Sequence, residues 1–141
     1  MKKETENEKK LKTVVATVLA TAAMTITALA GSASYNSTFT VYQNETVRPL
    51  SAYFSAKSDH TMNVQFGTVY SAGDTAVGIS SKEIFGNYKS LASSTFYLKK
   101  GNYTGVNYFI NFDNISKGTR YYGFTTDLNT KYSVKSFSDS W

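Results

Sequence analysis

Apolar and polar residues alternate along most of the chain after residue 34. In one run, Met62, Val64 and Phe66 alternate with Asn63 and Gln65. Alternation with a period of two predicts β-strands in an antiparallel sheet that is solvated on one face. Other runs place their apolar residues on one parity in the same way: Phe39 and Val41; Ala52, Phe54 and Ala56; Val77 and Ile79; Phe96 and Leu98; Val106, Tyr108, Ile110 and Phe112; Tyr122 and Phe124; Tyr132 and Val134.

Turn-forming residues separate these runs at intervals of roughly 8–12 residues. They are Gln43–Glu45, Lys57–His60, Ala72–Asp74, Lys100–Asn102, Asp113–Gly118 and Asp127–Asn129. This spacing predicts an all-β fold, an antiparallel β-sandwich of about 7–8 short strands. The segment Ser80–Ser94 breaks the alternation, and two interpretations stay open for it: a short helix capped by Ser81, or a long crossover between sheets.

The first 30 residues have the composition of a secretory signal peptide. Five lysines fall within the first 12 residues, and the uncharged stretch Thr13–Ala30 follows them. Small residues around Ala30 and Ala33 suit cleavage by a signal peptidase. We therefore predict a signal peptide over residues 1–30, cleavage after Ala30 or Ala33, and a single exported domain over residues 31–141. An uncleaved membrane anchor is the competing interpretation, but 18 residues lie near the lower limit for crossing a bilayer.

Composition and charge narrow the classes of function. Aromatic residues make up 15% of the chain and charged residues 18%, a balance that predicts a folded core rather than disorder. The absence of cysteine excludes disulfides, zinc–thiolate sites and thiol catalysis. Residues 31–141 contain ten basic and seven acidic residues, a net charge of +3. This charge suits an anionic wall polymer or lipid headgroup but is too small to indicate a nucleic-acid partner.

The residues that could support catalysis are few. A serine–histidine–aspartate arrangement needs an imidazole that is held by a carboxylate and touches a serine. His60 is the only histidine, and its neighbour Asp59 falls with it in a predicted turn, which is poor geometry for such a triad. The remaining carboxylates also fall mostly in predicted turns, so no pair is placed for glycoside hydrolysis. We predict no catalytic residues and no enzyme activity.

Cofactor and metal sites lack a recognisable motif. The pairs Asp113-Asn114 and Asp127-Leu128-Asn129 offer too few oxygen ligands for calcium. No glycine-rich nucleotide-binding motif is present. The sequence therefore predicts no cofactor and no metal.

One departure from the alternation points to a binding surface. Phe109 lies on the polar parity of its strand, between Tyr108 and Ile110. An aromatic ring that stands out of a sheet can pack against a flat apolar partner such as a sugar ring. We predict a contact face made of Tyr97, Phe109 and Tyr121. The alternative is that these rings only stabilise the sheet through cross-strand pairs.

The chain as a whole resembles the small secreted all-β proteins of Gram-positive bacteria that have no assigned function. The resemblance rests on the lysine-led signal through Ala30 and on the final Tyr132-x-Val134 strand that leads to Trp141. The chain is also similar to lactococcin-like bacteriocins, which are cysteine-free secreted β-sandwiches with an aromatic C-terminal end. It is longer than those proteins and shares no residue motif with them, so no functional residue is carried over.

These observations together predict a non-enzymatic protein that is secreted or associated with the cell wall. Its predicted partner is a surface glycan, such as a cell-wall polymer, or a surface protein, bound through the aromatic face. The alternative that the bacteriocin resemblance implies is an antimicrobial protein that acts on the envelope of neighbouring bacteria.

Overall fold

The computed structural model describes residues 24–28 and 31–141. The described residues form eleven β-strands. In chain order these are β1 (Met24–Ala28), β2 (Ser32–Tyr35), β3 (Phe39–Val41), β4 (Thr46–Phe54), β5 (Ser58–Ser71), β6 (Gly73–Lys82), β7 (Tyr88–Leu98), β8 (Gly101–Asn102), β9 (Tyr108–Ile115), β10 (Gly118–Thr126) and β11 (Lys131–Ser140).

The strands form two sheets, which we call sheet A and sheet B. Sheet A has the order β1-β4-β10-β6-β7. Sheet B is built on the long pair β5–β11, with β2 and β3 on the free side of β11 and β8 and β9 on the free side of β5. Every pairing is antiparallel except that of β1 with β4, which is parallel. The predicted antiparallel β-sandwich is therefore confirmed, with more strands than the sequence indicated.

The core lies between the sheets and follows the alternation in the sequence. Most of the apolar positions predicted to share one parity are buried, whereas Val106 is 46% exposed. Aromatic pairs fill the core, as in the edge-to-face contact of Phe66 with Tyr132, both fully buried, at 5.5 Å between ring centroids. The fully buried large side chains include Leu50, Phe54, Met62, Phe66, Ile79, Tyr122, Phe124 and Tyr132.

The segment 80–94 is neither a helix nor a crossover. β6 continues to Lys82, the chain turns over residues 83–87, and β7 returns from Tyr88. The alternation is broken because the register shifts at this point: Ile79 pairs with Ala92, but the next residue, Ser80, pairs with Ser90. Such a bulge moves the following side chains to the other parity, so the sequence pattern fails although the strand continues.

A second irregularity accommodates Pro49 inside β4. In the pairing of β4 with β10, Leu50 lies opposite Tyr122 and Val47 opposite Phe124, so Arg48 and Pro49 together face the single residue Gly123. Because proline has no amide hydrogen, a bulge of this kind is a place where a paired strand tolerates it.

The predicted signal peptide is only partly described. Residues 1–23, 29 and 30 lie outside the described residues, while residues 24–28 form β1 and pair with Leu50–Phe54. Among the described residues, no helix is long and apolar enough to cross a membrane. The signal peptide and its cleavage site stay predictions.

Candidate functional site

The outer face of sheet A carries a shallow groove with a volume of about 140 Å³. We call it the sheet A groove. Its floor is formed by the middle of β10 and β6, where Gly123 pairs with Gly78 and Thr125 with Ala76. Small residues at these paired positions leave the backbone uncovered and let a ligand approach it. The groove is lined by Thr46, Arg48, Ala76, Gly78, Ile79, Ser80, Tyr88, Ser90, Ser93, Gly123 and Thr125.

One wall of the groove is an arginine stacked on a tyrosine. The guanidinium carbon of Arg48 lies 3.6 Å from the centre of the Tyr88 ring, a close cation–π contact. Tyr121 meets the same ring edge-to-face at 5.3 Å and supports it from the side. The partial burial of Arg48 lowers the pKa of its guanidinium from the ordinary value. Its Nε is buried without a hydrogen-bond partner in the described part of the chain.

The two floor glycines differ in what a side chain would meet. A Cβ at Gly78 would lie 2.7 Å from the backbone oxygen of Ala92, so this position requires glycine. A Cβ at Gly123 would meet only Arg48 Cγ and Thr46 Cγ2, both at 3.9 Å, an ordinary contact distance. A side chain at 123 would therefore fill the groove without straining the sheet.

The structure divides the three predicted contact residues between the two sheets. Tyr97 and Tyr121 share the outer face of sheet A, where Tyr97 pairs with Asp74 and Tyr121 with Ser80. Phe109 pairs with Asn63 in sheet B and is 68% exposed on the outside of that sheet. The three therefore do not form one surface. The alternation along a strand predicts which side chains face outward, but it does not predict which sheet the strand joins. The prediction that the three rings share one face was therefore wrong.

The residues that shape the groove were not among the predicted contact residues. Arg48 precedes Pro49 at the bulge of β4, and Tyr88 begins β7 within the segment whose alternation was lost. Tyr121, the one predicted residue next to the groove, contacts Tyr88 rather than lining the groove itself. The only local sign of this site in the sequence was Arg48 beside Pro49 within a strand. That sign does not identify Tyr88 as the residue on which Arg48 stacks.

A buried polar network lies at one end of the sandwich. Asp139 Oδ2 is 2.6 Å from His60 Nδ1 and accepts a hydrogen bond of 2.5 Å from the Tyr122 hydroxyl. His60 Nε2 lies 3.1 Å from Ser58 Oγ. Burial and the neighbouring carboxylate both raise the pKa of Tyr122 well above its ordinary range.

The network corrects the predicted turn at residues 57–60. β5 already begins at Ser58, and His60 points into the core with 1% of its surface exposed. Its carboxylate partner is Asp139 of β11, 79 residues away, and not the adjacent Asp59. The rings of His60, Phe54 and Trp141 contact one another, with centroids 4.4–4.8 Å apart. The contacts run from serine to histidine to aspartate, as in a nucleophilic triad. Here, however, the histidine is packed into an aromatic cluster.

The turn between β10 and β11 is organised by Asp127, as its composition predicted. Asp127 Oδ1 accepts hydrogen bonds from the amides of Asn129 and Thr130 and from the Thr130 hydroxyl, at 2.7–2.9 Å. These bonds stabilise the ionised form, the Thr130 hydroxyl most, and lower the pKa of the Asp127 carboxyl. Within the described residues, no group of three or more histidine and acidic side chains is arranged to hold a metal ion.

Comparisons with known proteins give a likeness of fold. No family model and no curated protein matches the sequence. A solved structure described as "CBM4 structure and function" superposes with a TM-score of 0.50 at 8% identity, over 74% of this chain and 70% of that one. The CBM36-1 domain of a multidomain xylanase from the hindgut metagenome of Trinervitermes trinervoides gives a TM-score of 0.40 at 15% identity, over 71% and 74%. The periplasmic g-type lysozyme inhibitor PliG of Aeromonas hydrophila gives 0.41 at 13%, over 82% and 94%.

The superposition on the CBM4 structure, together with the two sheets described above, defines the class of fold as a β-sandwich. At 8% identity the likeness concerns the fold alone. Any function must therefore be argued from the side chains of this chain.

Proposed function

We propose that this protein is a secreted or wall-associated, non-enzymatic module that binds a surface glycan in the sheet A groove. The observation that carries the proposal is the Tyr88–Arg48 pair beside a floor of glycine and alanine. The stacked Tyr88 ring and Arg48 guanidinium together form a flat wall of the groove, and sugar rings present apolar faces of similar size. Glycan binding here uses a different set of residues from the predicted face of Tyr97, Phe109 and Tyr121.

The polar lining of the groove suits a ligand rich in hydroxyl groups. Hydroxyl groups line the groove at Thr46, Ser80, Ser90, Ser93 and Thr125. The Thr46 and Thr125 hydroxyls lie 3.3 Å apart and the Ser80 hydroxyl donates to the Tyr121 carbonyl. A hydroxyl that donates in this way can still accept a hydrogen bond. Arg48 Nε adds a buried donor that has no partner in the described part of the chain. Few, well-placed polar groups around an apolar contact are what fixes the orientation of a small ligand.

The size of the groove favours one segment of an extended polymer. Its volume of about 140 Å³ lies below the roughly 300–1,000 Å³ of sites that enclose a whole drug-sized ligand. The groove therefore holds about one sugar ring of a chain that continues over the sheet on both sides. The fold likeness to a carbohydrate-binding module supports this choice of ligand class.

Export is part of the same proposal. The basic and apolar N-terminal segment supports secretion through a signal peptide, and the net charge of +3 over residues 31–141 supports contact with an anionic wall. The lysine-led signal segment and the final Tyr132-x-Val134 strand support an origin in a Gram-positive bacterium, by their resemblance to small secreted proteins of that group.

The test is retention of the protein by insoluble glycans, with purified peptidoglycan and cellulose as the probes. Tyr88→Ala removes the ring from the groove wall, and Gly123→Val fills the groove at the position that accepts a Cβ. We expect both variants to lose at least about tenfold in retention, since each removes most of a ring contact. Phe109→Ala on sheet B is the control, because it truncates an exposed ring outside the groove.

Retention that falls only with Phe109→Ala would move the binding face to sheet B and contradict the groove. Retention that falls with none of the three variants would remove glycan binding by either sheet. Circular dichroism of each variant separates these results from loss of folding.

The non-enzymatic part of the proposal has its own test at Ser58. A serine activated by His60 and Asp139 would react with a fluorophosphonate: the serine oxygen bonds to phosphorus, fluoride leaves, and His60 takes the serine proton. Because Asp139 is shared with Tyr122 and His60 is buried among rings, we expect no labelling. Labelling at Ser58 that disappears in His60→Gln would show a hydrolase-type site and overturn the proposal.

The second candidate is a bacteriocin-like protein that acts on the bacterial envelope. The exposed side chains of Ile84 and Phe85 favour it, because a protein that acts on membranes needs accessible apolar groups. Viability and membrane potential of Gram-positive cells exposed to the protein test this candidate. Loss of potential at low concentration would support it, and undisturbed cells across a broad panel would leave the glycan-binding function.

A further inference from the structure

The turn between β6 and β7 presents two large apolar side chains to solvent. Ile84 is 97% exposed and Phe85 92%, more than any other large hydrophobic residue in the described part of the chain. All residues from 82 to 87 are exposed. The apolar pair is therefore placed at the tip of a projecting hairpin rather than folded back onto the sandwich.

Backbone hydrogen bonds order this tip. The Glu83 amide donates to the Asn87 carbonyl at 2.7 Å, and the Gly86 amide donates to the Glu83 carbonyl at 2.9 Å. Gly86 has a φ of 83°, a left-handed conformation that glycine adopts without strain. A defined turn holds Ile84 and Phe85 outward, so presenting them costs little ordering free energy at the moment of binding.

Lysines stand on both sides of the tip. Lys82 pairs with Tyr88 and Lys89 with Ser81 at the neighbouring position of the ladder. Adjacent positions of a ladder point to opposite faces, so the two lysines flank the apolar pair from both faces of the hairpin.

The same end of the sandwich carries an excess of basic residues. The loops β4–β5 and β9–β10 lie at this end, because Gly118 pairs with Phe54 and Ser58 with Ile115. The basic residues there are Lys57, Lys82, Lys89, Lys117 and Arg120, and the exposed acidic ones are Asp59, Glu83 and Asp113. The fourth carboxylate at this end, Asp139, is buried against His60 and Tyr122 and does not reach the surface. At the opposite end the charges balance, with Lys99, Lys100 and Lys131 against Glu45, Asp74 and Asp127.

We propose that the β6–β7 hairpin docks this protein on an anionic lipid bilayer, with Ile84 and Phe85 entering the interface and the surrounding lysines contacting lipid phosphates. Apolar side chains on a cationic rim are the combination that holds peripheral proteins at such interfaces. A soluble anionic polymer would use the lysines but would leave Ile84 and Phe85 without a partner. An apolar protein groove would use the tip but not the basic residues. A bilayer that contains anionic lipid uses both features, and this docking does not depend on glycan binding.

The absence of cysteine makes a local measurement possible. Ile84→Cys, labelled with a polarity-sensitive fluorophore on the full chain, reports on the hairpin tip. Leu128→Cys, labelled in the same way, is the matched control, because Leu128 is 71% exposed at the opposite end. The probes are vesicles of phosphatidylcholine alone and vesicles that also contain phosphatidylglycerol.

We expect the emission of the label at 84 to shift to the blue and to be quenched by nitroxides on the lipid chains, only with phosphatidylglycerol present. Lys82→Gln with Lys89→Gln should weaken this binding about 30-fold, since each lysine near an anionic surface contributes about a factor of five. Added salt should weaken it as well. These exposed substitutions leave the melting temperature unchanged.

Three outcomes would overturn the proposal. Equal responses from labels at 84 and 128 would mean that another part of the chain, such as the apolar N-terminal stretch, holds the protein on the vesicle. Equal binding to neutral vesicles would remove the role of the lysines. A blue shift with a soluble polyphosphate polymer and none with vesicles would make the anionic partner a polymer rather than a bilayer.

Discussion

At the scale of single residues, one carboxylate organises the buried end of the sandwich. Asp139 Oδ2 serves both His60 and Tyr122, while its other oxygen has no hydrogen-bond partner in the described part of the chain. A buried donor that loses its acceptor costs about 1–3 kcal/mol. Removing the Asp139 carboxylate would therefore leave two buried donors without an acceptor.

We predict that Asp139→Leu lowers the free energy of unfolding by about 2–5 kcal/mol, because it leaves the His60 and Tyr122 donors buried and unpaired. Urea denaturation of the purified protein measures the change. The double variant with His60→Phe should be more stable than Asp139→Leu alone, since one orphaned donor is removed with its partner. Asp113→Asn, on the exposed side of β9, is the control. A single variant as stable as the native protein would show that the network has no structural role.

Asp127 gives a prediction about pH at the same scale. The folded-state pKa of its carboxyl is lowered from the ordinary 3.8, so its contribution to stability is complete above that value. The contribution is lost as pH falls through the folded-state pKa, because the protonated carboxyl accepts these hydrogen bonds less well. Asp127→Asn should therefore melt at a lower temperature than the native protein at pH 6, and the difference should shrink toward pH 2. Thermal melts across this range measure it, and a difference that is constant with pH would contradict it.

At the scale of elements, period-2 alternation predicted most of the longer strands and their buried parity. Runs such as Met62-x-Val64-x-Phe66 are buried as the pattern required, because a sheet with one covered face imposes that period. The pattern failed where the register shifts, at Ile79–Ser80 before the exposed hairpin. It also could not assign strands to sheets, since pairing partners are distant in sequence. The His60–Asp139 pair and the Arg48–Tyr88 pair both depend on such long-range pairing.

The element β2 yields a prediction about the residue at which the domain of residues 31–141 must begin. Ala33 is buried and pairs with Asp139, Ser32 pairs with Ser140, and the Gly31 carbonyl accepts from the Trp141 amide at 3.0 Å. A chain that begins at Ser34 loses all three contacts, whereas one that begins at Gly31 keeps them. We expect the shorter chain to melt several degrees lower. Losing the three contacts should lower the free energy of unfolding by about 1–2 kcal/mol, and each kcal/mol lowers the melting temperature by roughly 4–8 °C in a domain of this size. Equal melting temperatures would show that these contacts contribute nothing.

At the scale of the whole molecule, the two proposed binding surfaces lie on the same sheet but use different residues. The sheet A groove spans the middle of β4, β10, β6 and β7, and the hairpin extends β6 and β7 beyond the sandwich. Tyr88 stands at their boundary, since it lines the groove and pairs with Lys82 at the base of the hairpin. Gly123 belongs only to the groove, and Lys89 belongs only to the hairpin.

This separation predicts that each function can be removed without the other. Gly123→Val should reduce retention on glycan and leave vesicle binding unchanged, because its side chain fills only the groove. Lys82→Gln with Lys89→Gln should do the reverse, because both lysines are exposed beside the tip. The combined variant should show the sum of the two losses, as expected for sites without shared contacts. Measuring both kinds of binding on all three variants tests this. A loss of vesicle binding in Gly123→Val, with the fold intact, would mean that groove and hairpin form one continuous site.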